Sequence, residues 1–202
     1  MKHLAAYLLV FIFTFNLYAQ NEIEDIEREI LIHQETLNAQ FSNPETSILL
    51  SDDFKNFTGL EFYPVDLNFR VEALLIKTPD EQPFQMRTTT RRLPWYVKYG
   101  ELHFAINNTN FKLDLFQNLE PKEGYEDYLF LPFTDLTSGD GSYGGGRYID
   151  LIVSENQTII LDFNQSYNPY CVYNPMYSCP IPPEQNDLKI RIEAGIKDFN
   201  LK

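Results

Sequence analysis

The sequence predicts a mainly β protein: a single antiparallel β-barrel or β-sandwich domain behind one N-terminal amphipathic helix. Three observations carry this reading. Apolar residues recur at intervals of three and four between Asn21 and Phe41, they alternate with polar residues after Pro44, and turn-forming clusters interrupt that alternation. Without its leader the chain keeps roughly 180 residues, enough for one domain with a full core.

The leader comes first. Lys2 and His3 precede an apolar run from Leu4 to Leu17, broken only by Thr14 and Asn16, and Leu17-Tyr18-Ala19 ends it on a small residue. This is the layout of a secretory signal peptide, so residues 1–19 are expected to be removed and 20–202 to form a periplasmic or extracellular domain. The apolar run is marginal against the roughly 20 residues of a membrane span, and no later segment is apolar enough to supply one. The helix is placed at about 21–41, where Ile23, Ile26, Ile30, Leu37 and Phe41 form one stripe and acids crowd the first turn.

Strands follow over about 54–195. Phe69, Val71, Ala73 and Leu75 alternate with Arg70 and Glu72, and Leu102, Phe104, Phe111, Leu113 and Leu115 sit at spacings of two. Turns are read at Thr78-Pro79-Asp80, Tyr99-Gly100-Glu101, Asn107-Asn108, Pro121 to Gly124 and Glu155-Asn156-Gln157. They divide the region into eight to ten short strands, the number expected of a barrel or sandwich. After loss of Lys2 the domain carries 15 basic and 29 acidic residues, a net charge of −14. Such a surface repels phosphate backbones and anionic membranes, which argues against nucleic acid as a partner.

The most distinctive residues lie between 133 and 195. The runs PFTDLTSGDGSYGGGRYIDL and LDFNQSYNPYCVYNPMYSCPIPPEQNDL, followed by IEAG, crowd glycine, proline, asparagine and tyrosine into a shaped backbone. These motifs resemble an uncharacterised bacterial family, domain of unknown function 1684, from about Glu22 to the C-terminus. The resemblance implies no activity, cofactor or catalytic residue.

Gly139 to Gly144 formally fits G-x-G-x-x-G, but a dinucleotide site needs a strand before and a helix after it, whereas a β-like run from Arg147 to Val153 follows here. Asp135, Asp140 and Asp150 do not reproduce a calcium loop, and His33 and His103 with two cysteines make a poor zinc set. No cofactor or metal is therefore expected. Cys171 and Cys179, the only cysteines, read first as a disulfide in an exported protein. Two inert thiols, or a reactive thiol served by a base such as His103, are the alternatives. Tyr170, Tyr173 and Tyr177 stand among rigid Asn-Pro turns, where they either close one end of the barrel as a strap or line a saccharide or peptide groove.

Residues 147–153 and 158–163 read as the strands of a hairpin about Glu155-Asn156-Gln157. Setting Leu151 opposite Leu161 and Ile149 opposite Phe163 gathers the apolar residues on one face. On the other face Asp150 then falls opposite Asp162, and Tyr148 opposite Asn164. Like charges so placed need compensation, which makes Asp150 and Asp162 the candidate catalytic carboxylates. Arg147, Tyr148, Asn164, Asn168, Tyr170 and Tyr173 are the candidate ligand contacts. The leading reading is an exported β-domain that binds a small molecule, a glycan or an envelope partner. A hydrolase-like enzyme using the Asp150/Asp162 region is the first alternative, and a structural interaction module the second.

Overall fold

The computed structural model describes the chain from Lys2 to residue 199, with side chains from Gln20 onward. The signal-peptide reading of residues 1–19 lies outside the described side chains. The predicted helix is part of α1 (Lys2–Ser42), which buries Ile30 and Phe41, half-buries Ile26 and Leu37, and leaves Ile23 exposed. Among the described residues no helix is long and apolar enough to cross a membrane. A short helix, α2 (Ser51–Asn56), occupies the stretch where the first strand was expected.

Seven strands follow among the described residues: β1 (Arg70–Lys77), β2 (Phe84–Gln85), β3 (Trp95–Ile106), β4 (Thr109–Asn118), β5 (Tyr128–Phe133), β6 (Arg147–Ile152) and β7 (Thr158–Asp162). They form one antiparallel sheet in the order β6-β5-β4-β3-β1-β7, with β2 added to β3. Fewer strands appear than expected, because residues 163–199 form short 3-10 turns and isolated bridges instead of continuing the sheet. We call this segment the strap.

The end strands β6 and β7 are joined by only residues 153–157. So short a link reaches at most about 20 Å, so the sheet has to curl until its edges approach, which gives a half-barrel. Phe104, Leu113, Leu131, Leu161 and Phe163 fill the inside of the curl, with Leu188 and Ile192 of the strap packed among them. The long β3–β4 hairpin turns at Asn107 and Asn108, whose φ values of 49° and 62° suit a tight two-residue turn.

Gly100, read as part of a turn, lies inside β3 at a shift of register between Lys98 and Gly100. A side chain there would begin 2.6 Å from the carbonyl oxygen of Ile76, so the glycine permits close approach of β1.

The expected 147–163 hairpin does not form. β6 pairs along its length with β5, Phe130 lying opposite Asp150, and β7 pairs with β1, Arg70 lying opposite Asp162. The face assignment within each strand stands: Ile149 and Leu161 point to the core and Asp150 to the opposite face. Alternation fixes a face, but any neighbouring strand with a matching alternation can be the partner. The observed pairing also removes the like-charge opposition, since Arg70 Nε reaches Asp162 Oδ2 at 3.4 Å.

Candidate functional site

On the outer face of the half-barrel the sheet bends toward α1 and the strap, leaving a cleft of about 530 Å³. Its floor comes from the sheet: Tyr96 of β3, Tyr128 and Phe130 of β5, and Tyr148 and Asp150 of β6. These residues share a face because their positions in adjacent strands are in register, Phe116 with Phe130 and Phe130 with Asp150. One wall is the strap, through Tyr167, Tyr170 and Tyr177, and the other is α1, through His33, Leu37 and Gln40.

The strap is brought here by backbone pairing. Tyr148 and Tyr167 exchange two backbone hydrogen bonds, 2.9 and 3.0 Å, along the free edge of β6. The 3-10 turn at Phe163–Gln165 lies between β7 and this bridge, so the residue that arrives beside Asp150 is Tyr167, not Asp162. The Tyr167 hydroxyl donates to Asp150 Oδ2 at 2.8 Å. Farther along, the Tyr148 hydroxyl donates to the carbonyl of Pro180, and Thr89 donates from its backbone to Cys179 at 2.9 Å. The rings pack edge to face, Phe130 on Tyr148 at 4.7 Å and Tyr170 on Tyr177 at 5.5 Å, a geometry that holds their faces in fixed directions.

Asp150 reaches solvent within the cleft, yet ring atoms crowd it on the other sides. Loss of hydration raises its pKa above the ordinary carboxylate value, partly offset by the Tyr167 hydrogen bond. The Tyr128 and Tyr170 phenols are pushed up first by burial and next by the Asp150 charge, and Tyr167 rises well above its ordinary value for the same two reasons. At neutral pH these rings are therefore neutral phenols around one carboxylate. His33 is lowered by burial, against the opposing pull of the Gln165 backbone and of Asp162, which favours its neutral form.

Of the residues singled out in the sequence, Asp150, Tyr148, Tyr170, Tyr177, Cys179 and His33 line this cleft. The other candidate ligand contacts are internal ties. Arg147 has no exposed surface: its guanidinium donates to the carbonyls of Ile192 and Ile196 at 2.9 and 3.2 Å and to Asp135 Oδ1 at 3.1 Å. Asn164, also buried, accepts from the backbone of Asp66 and donates back to it, both at 3.0 Å. Asn168 donates to the carbonyl of Lys197 at 2.9 Å, and Tyr173 packs its ring on Phe41 at 4.6 Å in a second small core. None of these four lines the cleft. Asp162 is occupied by Arg70 and by Asn164, whose side-chain amide donates to it at 2.8 Å.

The glycine-rich loop is wound on the buried Arg147–Asp135 pair. Asp135 also accepts from Ile192 N at 2.7 Å and from the Thr137 hydroxyl at 3.0 Å, while Asp140 pairs with Arg191 at 2.7 Å. No group of three or more candidate metal ligands occurs among the described residues. His103, weighed as a base for a cysteine, is held by Glu101 at 2.9 Å.

Cys171 and Cys179 come together as free thiols, with Cys171 N donating to Cys179 Sγ at 3.2 Å. Burial pushes the Cys179 thiol up to about 12, which keeps it protonated at neutral pH and unsuited to act as a thiolate nucleophile. Sequence reasoning missed Tyr96, Tyr125, Tyr128 and Tyr167, which reach the cleft from separate elements, and weighed His33 only as a zinc ligand. A second hollow of similar size, about 480 Å³ beside β1 and residues 155–157, contains no ring.

Comparison with known proteins places this arrangement in a family. A family model described as "Protein of unknown function (DUF1684)" matches residues 55–197, and the chain belongs to that family. The matched span starts later than the resemblance read from about Glu22. The chain is also similar to an uncharacterized protein of Haloarcula marismortui whose solution structure is known. The identity is 30%, the TM-score 0.68, and the alignment covers 88% of this chain and 96% of that one. No curated protein matches the chain.

Proposed function

We propose that this protein is a binding domain that takes a small molecule into the tyrosine-lined cleft. The observation that carries the reading is the convergence of Asp150 with aromatic rings from β3, β5, β6 and the strap in one open concavity. Tyr125, Tyr128 and Tyr170 present 53%, 38% and 42% of their surface to solvent, so their rings are available to a ligand. Bulky side chains exposed together at a concave site lose water favourably when a ligand covers them. The test is a thermal-shift screen of metabolites and glycans. A hit is expected to raise the midpoint of the unaltered protein, and Tyr170→Ala or Tyr128→Ala should remove most of that rise. A hit whose effect survives both substitutions would place binding elsewhere.

We also infer export to the periplasm or beyond, supported by the layout of residues 1–19, and closure of Cys171 and Cys179 into a disulfide there, supported by their proximity. Closing this nine-residue loop adds roughly 2.5 kcal/mol on the chain-entropy account. One intact mass, taken on protein from the envelope or medium, reads both. The expected mass begins at Gln20 and is two hydrogens below that of the dithiol. A mass retaining residues 1–19 contradicts export, and two free thiols contradict the bridge.

A further inference from the structure

We propose that the ligand carries an organic cation of the alkylammonium class, seated against the Asp150 carboxylate and caged by the rings of Tyr128, Tyr167 and Tyr170. This rests on the cleft being the binding site and adds the chemistry the cleft selects.

Asp150 has no cationic partner among the described residues. The hydrogen bond it receives comes from a neutral phenol, and among the described residues no lysine, arginine or histidine lies within ion-pair distance of it. Asp162, by contrast, faces Arg70 across the sheet. Two groups lining the cleft could in principle neutralise Asp150. Arg92 turns its guanidinium to the carbonyl of Ser178 at 2.7 Å, and His33 is held toward its neutral form. A desolvated carboxylate without a cation is an unfavourable arrangement that a cationic ligand relieves.

The rings supply the second half. Aromatic faces carry negative charge density and attract alkylammonium groups, most strongly where water is displaced. The Asp150 charge is felt by the phenols of Tyr128, Tyr167 and Tyr170, so the three rings stand within its field. A neutral polyol would draw on the donors and acceptors of the lining, and some of these are already committed. Asn118 accepts from Glu120 N at 2.9 Å, and the Ser178 hydroxyl is bonded to Thr90 at 2.6 Å and Thr88 at 3.0 Å. The formal net charge of −13 adds a long-range attraction for cations.

The test is calorimetric titration of the unaltered protein with choline and, separately, with 3,3-dimethyl-1-butanol, in which carbon replaces the charged nitrogen. Choline is expected to saturate the site and to bind at least about tenfold more tightly than the alcohol. Asp150→Asn keeps an acceptor for Tyr167 and should weaken choline by about tenfold or more while leaving the alcohol unchanged. The comparison of the two ligands needs no variant, so it stands even if Asp150→Asn folds poorly. Equal affinity for the two, choline binding unaffected in Asp150→Asn, or no saturation by choline up to about 100 mM overturns the cation assignment. If the two bind equally and Tyr170→Ala weakens both, the cleft remains the site and its cation chemistry is wrong. If Tyr170→Ala changes neither, the cleft itself is wrong.

Discussion

Replacing Arg147 by methionine is expected to remove about 3 to 5 kcal/mol of folding stability, read from the urea midpoint. The guanidinium has no exposed surface and binds Asp135 together with the carbonyls of Ile192, Ala194 and Ile196. Its flat, branched geometry meets these acceptors at once, which an ammonium cannot do. Methionine fills similar volume but leaves Asp135 as a buried carboxylate without its cation, and that stranded charge accounts for most of the loss. Two companions separate charge from packing. Arg147→Lys should recover only part of the loss, and Asp135→Asn in the methionine background should restore some stability. A loss below about 1 kcal/mol in Arg147→Met would mean the pair does not hold the glycine-rich loop to the strap.

Gly195→Ala should cost about 3 kcal/mol or more, from two sources. The residue has φ of +76°, which alanine adopts only at a cost. Its added Cβ would also begin 2.1 Å from Ser166 Oγ and 2.5 Å from the carbonyl oxygen of Phe163. The hydroxyl could rotate away, but the Phe163 carbonyl belongs to the turn after β7 and cannot. Displacing the chain at Gly195 also strains the bond from Tyr63 N to its carbonyl, 2.9 Å long. Thermal unfolding measured beside an alanine substitution at Gly124 gives the control. Gly124 also has positive φ, +85°, but nothing lies within 4 Å of a side chain placed there. Equal losses at the two positions would show that backbone conformation alone matters and that the close packing at Gly195 does not.

These two residues also show what the sequence made legible. In β6 the alternation that sends Ile149 and Leu151 inward sends Arg147 inward too, so its burial was readable from parity. The usual exposure of arginine argued against that reading. Gly195 was visible only as part of the closing IEAG motif, and neither its positive φ nor the atoms crowding it could be read there. Faces were legible throughout: Ala73, Leu102, Leu113 and Leu161 all turn to the core as their alternation requires. Strand partners were not. A buried face is satisfied by any neighbour with a matching pattern, and β6 and β7 lie next to each other in sequence while standing at opposite ends of the strand order. The cleft suffered most from this. Asp150 and Tyr148 were found because they share a strand with the core residues that fixed their face. Tyr128 meets them through the pairing of β5 with β6, Tyr96 through β4 and β5 between them, and Tyr167 only through the extra turn at residues 163–165. What was read as a pair of carboxylates is one carboxylate among phenols, with the second acid already neutralised by Arg70.

Whether a ligand sits in this ring of tyrosines with Asp150 is read most directly by ring-resolved NMR on tyrosine-labelled protein during a choline titration. The expected result is a saturable change confined to the rings of the cleft, Tyr125, Tyr128, Tyr167, Tyr170 and Tyr177 foremost, while Tyr99 and Tyr173, packed elsewhere, stay unmoved. Changes centred on Tyr99 or Tyr173, or spread evenly over all the tyrosines, would contradict binding in the cleft.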